Sequence, residues 1–214
     1  MRVFLLRGDR DYQVLRPEIE DFWVGRSGVA SLGHWQVPRL VPFNEEQYKS
    51  DALLSVDAWP LDATADGFVL SERARRVLGP VLSQCGELLP VYVLDRILWW
   101  FNCLVRVDAL AAGTSGEWIE SGGERFLAEV RQLEFQLERV QAAPPVFRVP
   151  ELPAGYLFAG LSLLKFVERS ELVGFRFDLV WSVEDGGVVS PEGFGFELNN
   201  PDRVEAKRFA LRPK

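Results

Sequence analysis

The sequence predicts a single α+β domain over residues 1–214, with a mainly antiparallel sheet and a few short helices. Three observations support this fold class. Short apolar runs recur between stretches rich in Gly, Pro and Asp, two long apolar runs meet at one polar dipeptide, and helical spacing of apolar residues persists for only a few turns. Such runs and breaks are typical of strands joined by turns. With 48% hydrophobic residues, the 214-residue chain can bury a sizeable core.

The N-terminal part begins with a predicted strand at 2–7, where "RVFLLR" contains a short apolar run. Residues 17–66 are rich in Pro, Gly, Trp and Asp and show no sustained period. Loops and short elements are therefore expected there. We expect residues 1–59 to form an irregular N-terminal layer on the domain.

The stretch "DGFVLSERARRVLG", residues 66–79, predicts a short buried strand or a hydrophobic staple at 68–70, followed by a helix. Apolar residues follow at helical spacing at Ala74, Val77 and Leu78. Gly79-Pro80 is expected to end this helix, because proline cannot continue it.

Ser71 stands between that strand and that helix. A nucleophilic serine on a strand-to-helix turn requires flanking glycines in the pattern G-x-S-x-G and a base. Here Val69 and Arg73 stand at the two glycine positions, and the chain has one histidine, His34. A serine before a first helical turn accepts a backbone N–H, and an acidic residue in that turn suits the helix dipole. We therefore predict that Ser71 is a helix cap.

The apolar runs at 88–94 and 97–107 predict a hairpin around Asp95-Arg96. Both runs are apolar on two faces, which is expected of central strands covered on both sides. Pro90 is expected near the start of its strand or at a sheet edge, because it cannot donate to a neighbour.

Residues 124–140 leave two interpretations open, and the pattern alone favours a helix. One set of apolar residues repeats at helical spacing: Phe126, Val130, Leu133, Leu137 and Val140. Within 133–137, apolar and polar residues also alternate, as in a half-buried strand. Further along, 144–150 predicts a short extended segment. Residues 155–183 predict a strand, a helix, a break at Gly174 and a second strand, and 193–198 resembles a hairpin arm.

The net charge of −7 is unevenly distributed. Residues 50–72 and 177–202 hold eleven carboxylates and no basic residue, so the rest of the chain sums to about +4. Nucleic acid binding is disfavoured, because neutralising phosphates requires a basic face. A basic protein partner fits this distribution, and so does a purely solubilising role for acidic loops.

The inventory of reactive residues predicts no catalytic, cofactor or metal site. One histidine and two separate cysteines match no zinc spacing, and no phosphate-binding glycine pattern is present. The longest apolar stretch, 88–105, is interrupted by Pro90, Asp95-Arg96 and Asn102, so a membrane span is not expected. The start of the chain has no secretory h-region and the cysteines form no disulfide framework, which predicts a cytoplasmic protein.

Five segments occur in an order that resembles a known family. These are "GFVLSERARRVL", "ELLPVYVL", "VRVDAL", "PPVFRVP" and "LVGFRF". The order is similar to that of bacterial immunity proteins from polymorphic toxin systems, a former domain of unknown function known from a myxobacterial example. The resemblance covers about residues 60–182. The matching positions are Ser71 to Arg73, Val107 to Leu110, Phe147 and Arg148, and Gly174 to Phe177.

The resemblance implies a protein that binds and neutralises a cognate, contact-delivered toxin, often a nuclease, without catalytic residues or cofactors. It also implies a strand at about 131–138 and leaves 124–130 open. A small-substrate hydrolase and a non-enzymatic adaptor protein are the alternative classes.

The expected partner is a basic toxin domain that meets one or both acidic segments. Tryptophan is enriched among residues that anchor interfaces, although a core position is the alternative for each tryptophan here. The candidate contact residues are Asp57, Trp59, Asp62, Asp66, Trp181, Glu184 and Asp185.

Overall fold

The computed structural model describes residues 1–19, 22, 28–43, 56–61, 67–121, 123–152, 156–184 and 209–210. In chain order the strands are β1 (Arg2–Gly8), β2 (Leu15–Pro17), β3 (Arg39–Pro42), β4 (Ala58–Pro60), β5 (Phe68–Leu70), β6 (Gly86–Val93), β7 (Arg96–Cys103), β8 (Ser115–Ser121), β9 (Glu124–Gln132), β10 (Val146–Phe147), β11 (Leu157–Gly160), β12 (Phe175–Ser182) and β13 (Phe209–Ala210). The helices are α1 (Glu72–Leu82), α2 (Leu137–Ala142) and α3 (Leu161–Arg169), with a 3₁₀ turn at Leu32–His34.

The strands of these residues form three sheets. A five-stranded sheet has the order β10-β11-β1-β12-β13, a six-stranded sheet has the order β2-β3-β6-β7-β5-β4, and β8 pairs with β9. Neighbours are antiparallel except β3 and β6, which are parallel. The predicted α+β class with mainly antiparallel pairing is confirmed.

The two large sheets enclose the central core, and each buries its other face as well. Side chains of β1 show this alternation: Phe4 and Leu6 belong to the central cluster, whereas Val3 and Leu5 belong to a second cluster with β9 and α2. Trp100 of β7 belongs to a third cluster, against which Tyr12 and Trp35 of the N-terminal part pack. Successive side chains of a strand point to opposite faces. Burial on both faces therefore explains why the predicted strand at 2–7 is apolar throughout.

The predicted hairpin is confirmed. β6 and β7 are the two central strands of the six-stranded sheet, and Val93 pairs with Arg96 across a turn of Leu94 and Asp95. The second strand ends at Cys103, earlier than the predicted 107. Leu94 takes a left-handed conformation with φ of 52°, which costs a residue with a side chain about 1–2 kcal/mol.

The predicted end of α1 at Gly79-Pro80 is wrong, because the helix continues through Pro80 to Leu82. Leu78 and Leu82, on either side of the proline, are both only 1% exposed. Burial of a leucine contributes about 1.5–3 kcal/mol. That gain is comparable with the cost of an interior proline, about 3 kcal/mol, so packing can hold the last turn.

The expectation for Pro90 is also wrong, since it is the fifth residue of a central strand. Its carbonyl accepts a hydrogen bond from Trp35 Nε1 at 2.8 Å. In a strand, the N and the carbonyl of one residue point to the same side, so the N of Pro90 also points away from β7. On that side β3 pairs only with Tyr92 and Val93. The missing N–H therefore breaks no ladder bond.

Residues 124–140 divide into strand β9 and the start of helix α2. The helix predicted from the apolar spacing is wrong for 124–132, where β9 pairs with β8. The strand implied by the resemblance at 131–138 is wrong beyond Gln132, apart from a single bridge between Phe135 and Leu110. Pairing with β8, the preceding arm of the same hairpin, decides the conformation here against the helical period.

Gly174 forms the predicted break between α3 and β12. Its φ is 89°, and a Cβ at this position would overlap the backbone carbonyl oxygen of Ala58. The strand, helix and strand predicted within 155–183 are confirmed as β11, α3 and β12. The predicted hairpin arm at 193–198 lies outside the described residues. No helix in the described part of the chain is long and apolar enough to cross a membrane.

Gly174→Ala should destabilise the fold by more than Gly123→Ala. Both glycines have φ near +85° (89° and 83°), but an added methyl group at Gly123 meets open space. Gly123→Ala should therefore cost only the left-handed strain, about 1–2 kcal/mol, while Gly174→Ala adds the overlap with Ala58. Urea unfolding of both variants measures the difference, and equal losses would contradict the close approach at Gly174.

Candidate functional site

Ser71 caps α1, as predicted. Its hydroxyl oxygen accepts the N–H of Ala74 at 3.0 Å, and the hydroxyl donates to Asp57 Oδ1 at 2.8 Å. The only histidine of the chain, His34, is exposed in the 3₁₀ turn. The hydroxyl thus both accepts and donates a hydrogen bond at the start of the helix, as a capping serine does.

Asp57 lies at the centre of a buried polar cluster and not on an interaction surface. The residue is 4% exposed. Besides Ser71, its carboxylate accepts from Arg73 Nη1 at 2.8 Å and from the N–H of Val173 at 3.2 Å. Arg73 also donates to the carbonyl of Ser170 at 3.0 Å. The cluster joins β4, the start of α1 and the segment after α3, so the prediction that Asp57 contacts a partner does not fit.

Trp59 and Trp181 are core residues, the alternative stated for each. They are 4% and 3% exposed, respectively. Trp59 packs in the third cluster, and Trp181 packs edge-on against Phe135 in the second. Both lie on strands whose faces are covered, so neither indole can reach a partner without unfolding of the surrounding layer.

The described acidic residues of the two acidic segments are paired with arginines. Four of the eleven carboxylates in the two acidic segments are described. Their pairs are Asp57–Arg73, Glu72–Arg75, Asp178 with Arg7 and Arg176, and Glu184–Arg2. Glu184 is exposed at the end of this group. Asp62, Asp66 and Asp185 lie outside the described residues, so their predicted role stays a prediction.

Four of the five segments that support the family resemblance meet in two pairs. Ser71 and Arg73 reach the segment before Gly174 through Asp57, whose N–H also bonds the carbonyl of Val173. Val107 donates its N–H to the carbonyl of Arg148 at 2.8 Å. Arg148 is 4% exposed although charged. The matching residues therefore build junctions between distant parts of the chain.

Glu151 and Asp108 form the carboxyl pair that most resembles a reactive site. Burial raises the pKa of Glu151, and the neighbouring Asp108 raises it further. Asp108 is exposed and Glu151 is half-buried. Within the described part of the chain, no group of three His, Cys, Asp or Glu residues could hold a metal ion.

The two cysteines, Cys85 and Cys103, are free and buried. Burial raises the pKa of both thiols, to about 12 for Cys103. A nucleophilic cysteine needs the opposite shift, because the thiolate is the reactive form.

The surface where α1 begins is the best candidate for binding. Arg75 donates to both carboxylate oxygens of Glu72 at 2.8 Å, and its guanidinium lies 4.4 Å from the ring centroid of Trp99. Trp99 Nε1 donates to Glu72 at 2.8 Å. The hydrogen bond from Arg75 and that from Trp99 help to lower the pKa of Glu72 to about 2. Three mutually bonded side chains therefore present an ordered Trp–Arg surface, and both residue types are enriched among interface hot spots. The sequence signals for this surface are the arginine in the first turns of the predicted helix and the tryptophan in the predicted hairpin.

No protein-family model matches this chain, and no curated protein is significantly similar to it in sequence.

Ser71→Ala should lower the free energy of unfolding by about 1 kcal/mol, the usual cost of losing a helix cap. Ser71→Thr keeps the hydroxyl and is the matched control. Urea unfolding measures the loss. A Ser71→Ala protein that is as stable as the parent but no longer functions would instead make Ser71 a site residue.

Glu151→Gln should stabilise the protein at neutral pH and lose this advantage in acid. Because the folded pKa of Glu151 is raised, its neutral form adds stability that is complete below the unfolded pKa and disappears as pH rises through the folded pKa. Glutamine is neutral throughout. Melting temperatures at pH 4 and pH 7 test this, with Glu138→Gln on α2 as control. An advantage that does not depend on pH would contradict the assignment.

Proposed function

We propose that the chain is a cytoplasmic immunity protein that binds a contact-delivered bacterial toxin and neutralises it by occlusion. The observation that supports this most is that four of the five resembling segments meet in two structural pairs. A resemblance confined to surface loops could arise from composition. Segments that build the junctions of a domain point instead to a shared scaffold.

The arrangement of polar groups also suits a binding protein. The described acidic residues of the two acidic segments are neutralised by arginines, and Ser71 is fully used as a cap. The ordered surface of Glu72, Arg75 and Trp99 needs little further ordering on binding, and preorganisation lowers the cost of association.

The proposed partner is a toxin domain encoded directly beside this chain, with nuclease activity as the expected chemistry. A nuclease presents a basic surface to hold phosphates. The carboxylates at Asp62, Asp66 and Asp185 remain candidates for its recognition, together with Glu184, whose side chain is 61% exposed.

A small-substrate hydrolase is the second candidate, because Glu151 with its raised pKa lies beside Asp108. Carboxylic acids with raised pKa values serve as general acids in such enzymes. The two functions differ in stoichiometry: occlusion requires one immunity protein for each toxin, whereas an enzyme would act at much lower amounts.

Titration of the neighbouring toxin domain with the purified chain should abolish toxin activity at a one-to-one ratio. Binding should be nanomolar or tighter, about −12 kcal/mol. Glu151→Gln should neutralise the toxin as well as the parent does. Neutralisation at a small fraction of equimolar, lost in Glu151→Gln, would favour the hydrolase. Absence of any binding to the toxin would exclude the immunity function.

A further inference from the structure

The fold brings the two cysteines of the chain together at the open end of the β6–β7 hairpin. Cys85 directly precedes β6, and Cys103 is the last residue of β7. Both side chains belong to the central core cluster, at 0% and 2% exposure. The whole hairpin separates them in the sequence, so strand pairing is what makes them neighbours. We call these two residues the cysteine pair.

The backbones of the two strands approach closely at this end of the hairpin. Gly86 and Cys103 are direct cross-strand partners, and a Cβ at Gly86 would lie 2.9 Å from Cys103 Cα. The N–H groups of Leu104 and Val105 both donate to the carbonyl of Cys85, at 2.9 and 3.2 Å. Cross-strand Cα atoms lie about 4.5–5.5 Å apart and successive Cα atoms about 3.8 Å, which places the Cα atoms of the cysteine pair about 6 Å apart. Disulfides span Cα separations of about 4.4–6.8 Å.

The two sulfurs also meet the same residue of the neighbouring sheet. Cys103 Sγ lies 3.9 Å from the carbonyl oxygen of Val146, the first residue of β10. The backbone of Val146 also hydrogen-bonds the sulfur of Cys85. Burial raises the pKa of Cys103, and the nearby Cys85 raises it further. Both sulfurs therefore point into the central core from adjacent positions.

A metal site is the other chemistry that two thiols could supply. Zinc in structural sites takes four protein ligands. Within the described part of the chain, no group of three His, Cys, Asp or Glu residues could hold a metal ion. The geometry of the cysteine pair suits a bond between its own sulfurs better.

We propose that the cysteine pair is a dithiol–disulfide site, and that its oxidation by a small disulfide such as oxidised glutathione locks the central core. One cysteine attacks the glutathione disulfide as a thiolate and expels a glutathione thiolate, which leaves a mixed disulfide. The second cysteine attacks the protein sulfur of that mixed disulfide and expels the second glutathione. Each expelled thiolate takes up the proton that a cysteine has lost. Two electrons thus pass from the cysteine sulfurs to the glutathione sulfurs, and one oxidised glutathione becomes two reduced ones.

The bond would lie where α1 and both large sheets meet. The N–H of Cys85 donates to the carbonyl of Leu82 in the last turn of α1 at 2.9 Å, and the sulfur of Cys103 contacts β10. A disulfide stabilises mainly by restricting the unfolded chain, provided that the folded structure accepts its geometry. In the reducing cytoplasm proposed for this chain the pair stays as two thiols, and the lock forms under oxidising conditions. It does not depend on which partner the chain binds.

Equilibration of the purified chain with reduced and oxidised glutathione tests the site. The equilibrium gives the effective concentration of one cysteine at the other, first in native buffer and then in concentrated urea. Reduced and oxidised protein are both used as starting material, and intact-mass spectrometry with peptide mapping measures the bonded fraction. The effective concentration should be at least about tenfold higher in native buffer than in urea, because the fold already places the sulfurs together. The oxidised protein should therefore melt at a higher temperature than the reduced protein.

Cys85→Ala is the matched control, because it keeps Cys103 and nearly all of the surrounding core. Its melting temperature should not rise in the oxidising glutathione buffer. An effective concentration in native buffer that is equal to or below that in urea would overturn the inference, since the fold would then hold the sulfurs apart. A disulfide-linked dimer as the main product would overturn it as well. Both results leave the immunity function in place, because none of these measurements involves the toxin.

Discussion

The carboxylate of Asp57 connects the parts of the domain that the chain makes far apart. It accepts hydrogen bonds from a helix start, from an arginine of that helix and from the backbone of Val173. These bonds lie where β4 of one large sheet meets the segment that enters β12 of the other. A buried carboxylate without such partners would cost several kcal/mol. The relative position of the sheets, and of the core between them, therefore depends on keeping all of these partners in place.

The same junction restricts the residue types and backbone conformations of the segment that follows α3. Gly174 approaches the carbonyl oxygen of Ala58 too closely for any side chain, and Glu171 is left-handed with φ of 51°. Arg73 donates to the carbonyl of Glu171 at 3.3 Å. A strained segment is thus held by an arginine and an aspartate that face it from other elements. The conformation after α3 is stable because the whole domain is folded, and it has little support of its own.

Local patterns predicted several elements that have neighbours close in sequence or that are buried on both faces. The strand at 2–7, the Ser71 cap and the β6–β7 hairpin belong to this group. Errors arose where a contact with another element overrides the local pattern. Pro90 is accepted in a central strand because Trp35 bonds its carbonyl, and β9 is a strand despite its helical period because the preceding strand β8 pairs with it.

The candidate site was harder to predict than the fold for the same reason. A count of carboxylates along the sequence does not show that Arg2 pairs with Glu184 or that Arg7 pairs with Asp178. The two tryptophans within acidic stretches face inward because their strands are covered on both sides.

Because Cys103 is buried, the rate at which its thiol is labelled reports on opening of the central core. Cys103 is 2% exposed in the central core, and burial raises the pKa of its thiol, so little of the reactive thiolate is present at pH 7. An alkylating reagent must therefore wait until the central core opens. The rate of labelling then follows the equilibrium between closed and open core. No introduced dye or tag is needed to measure how a bound partner slows that opening.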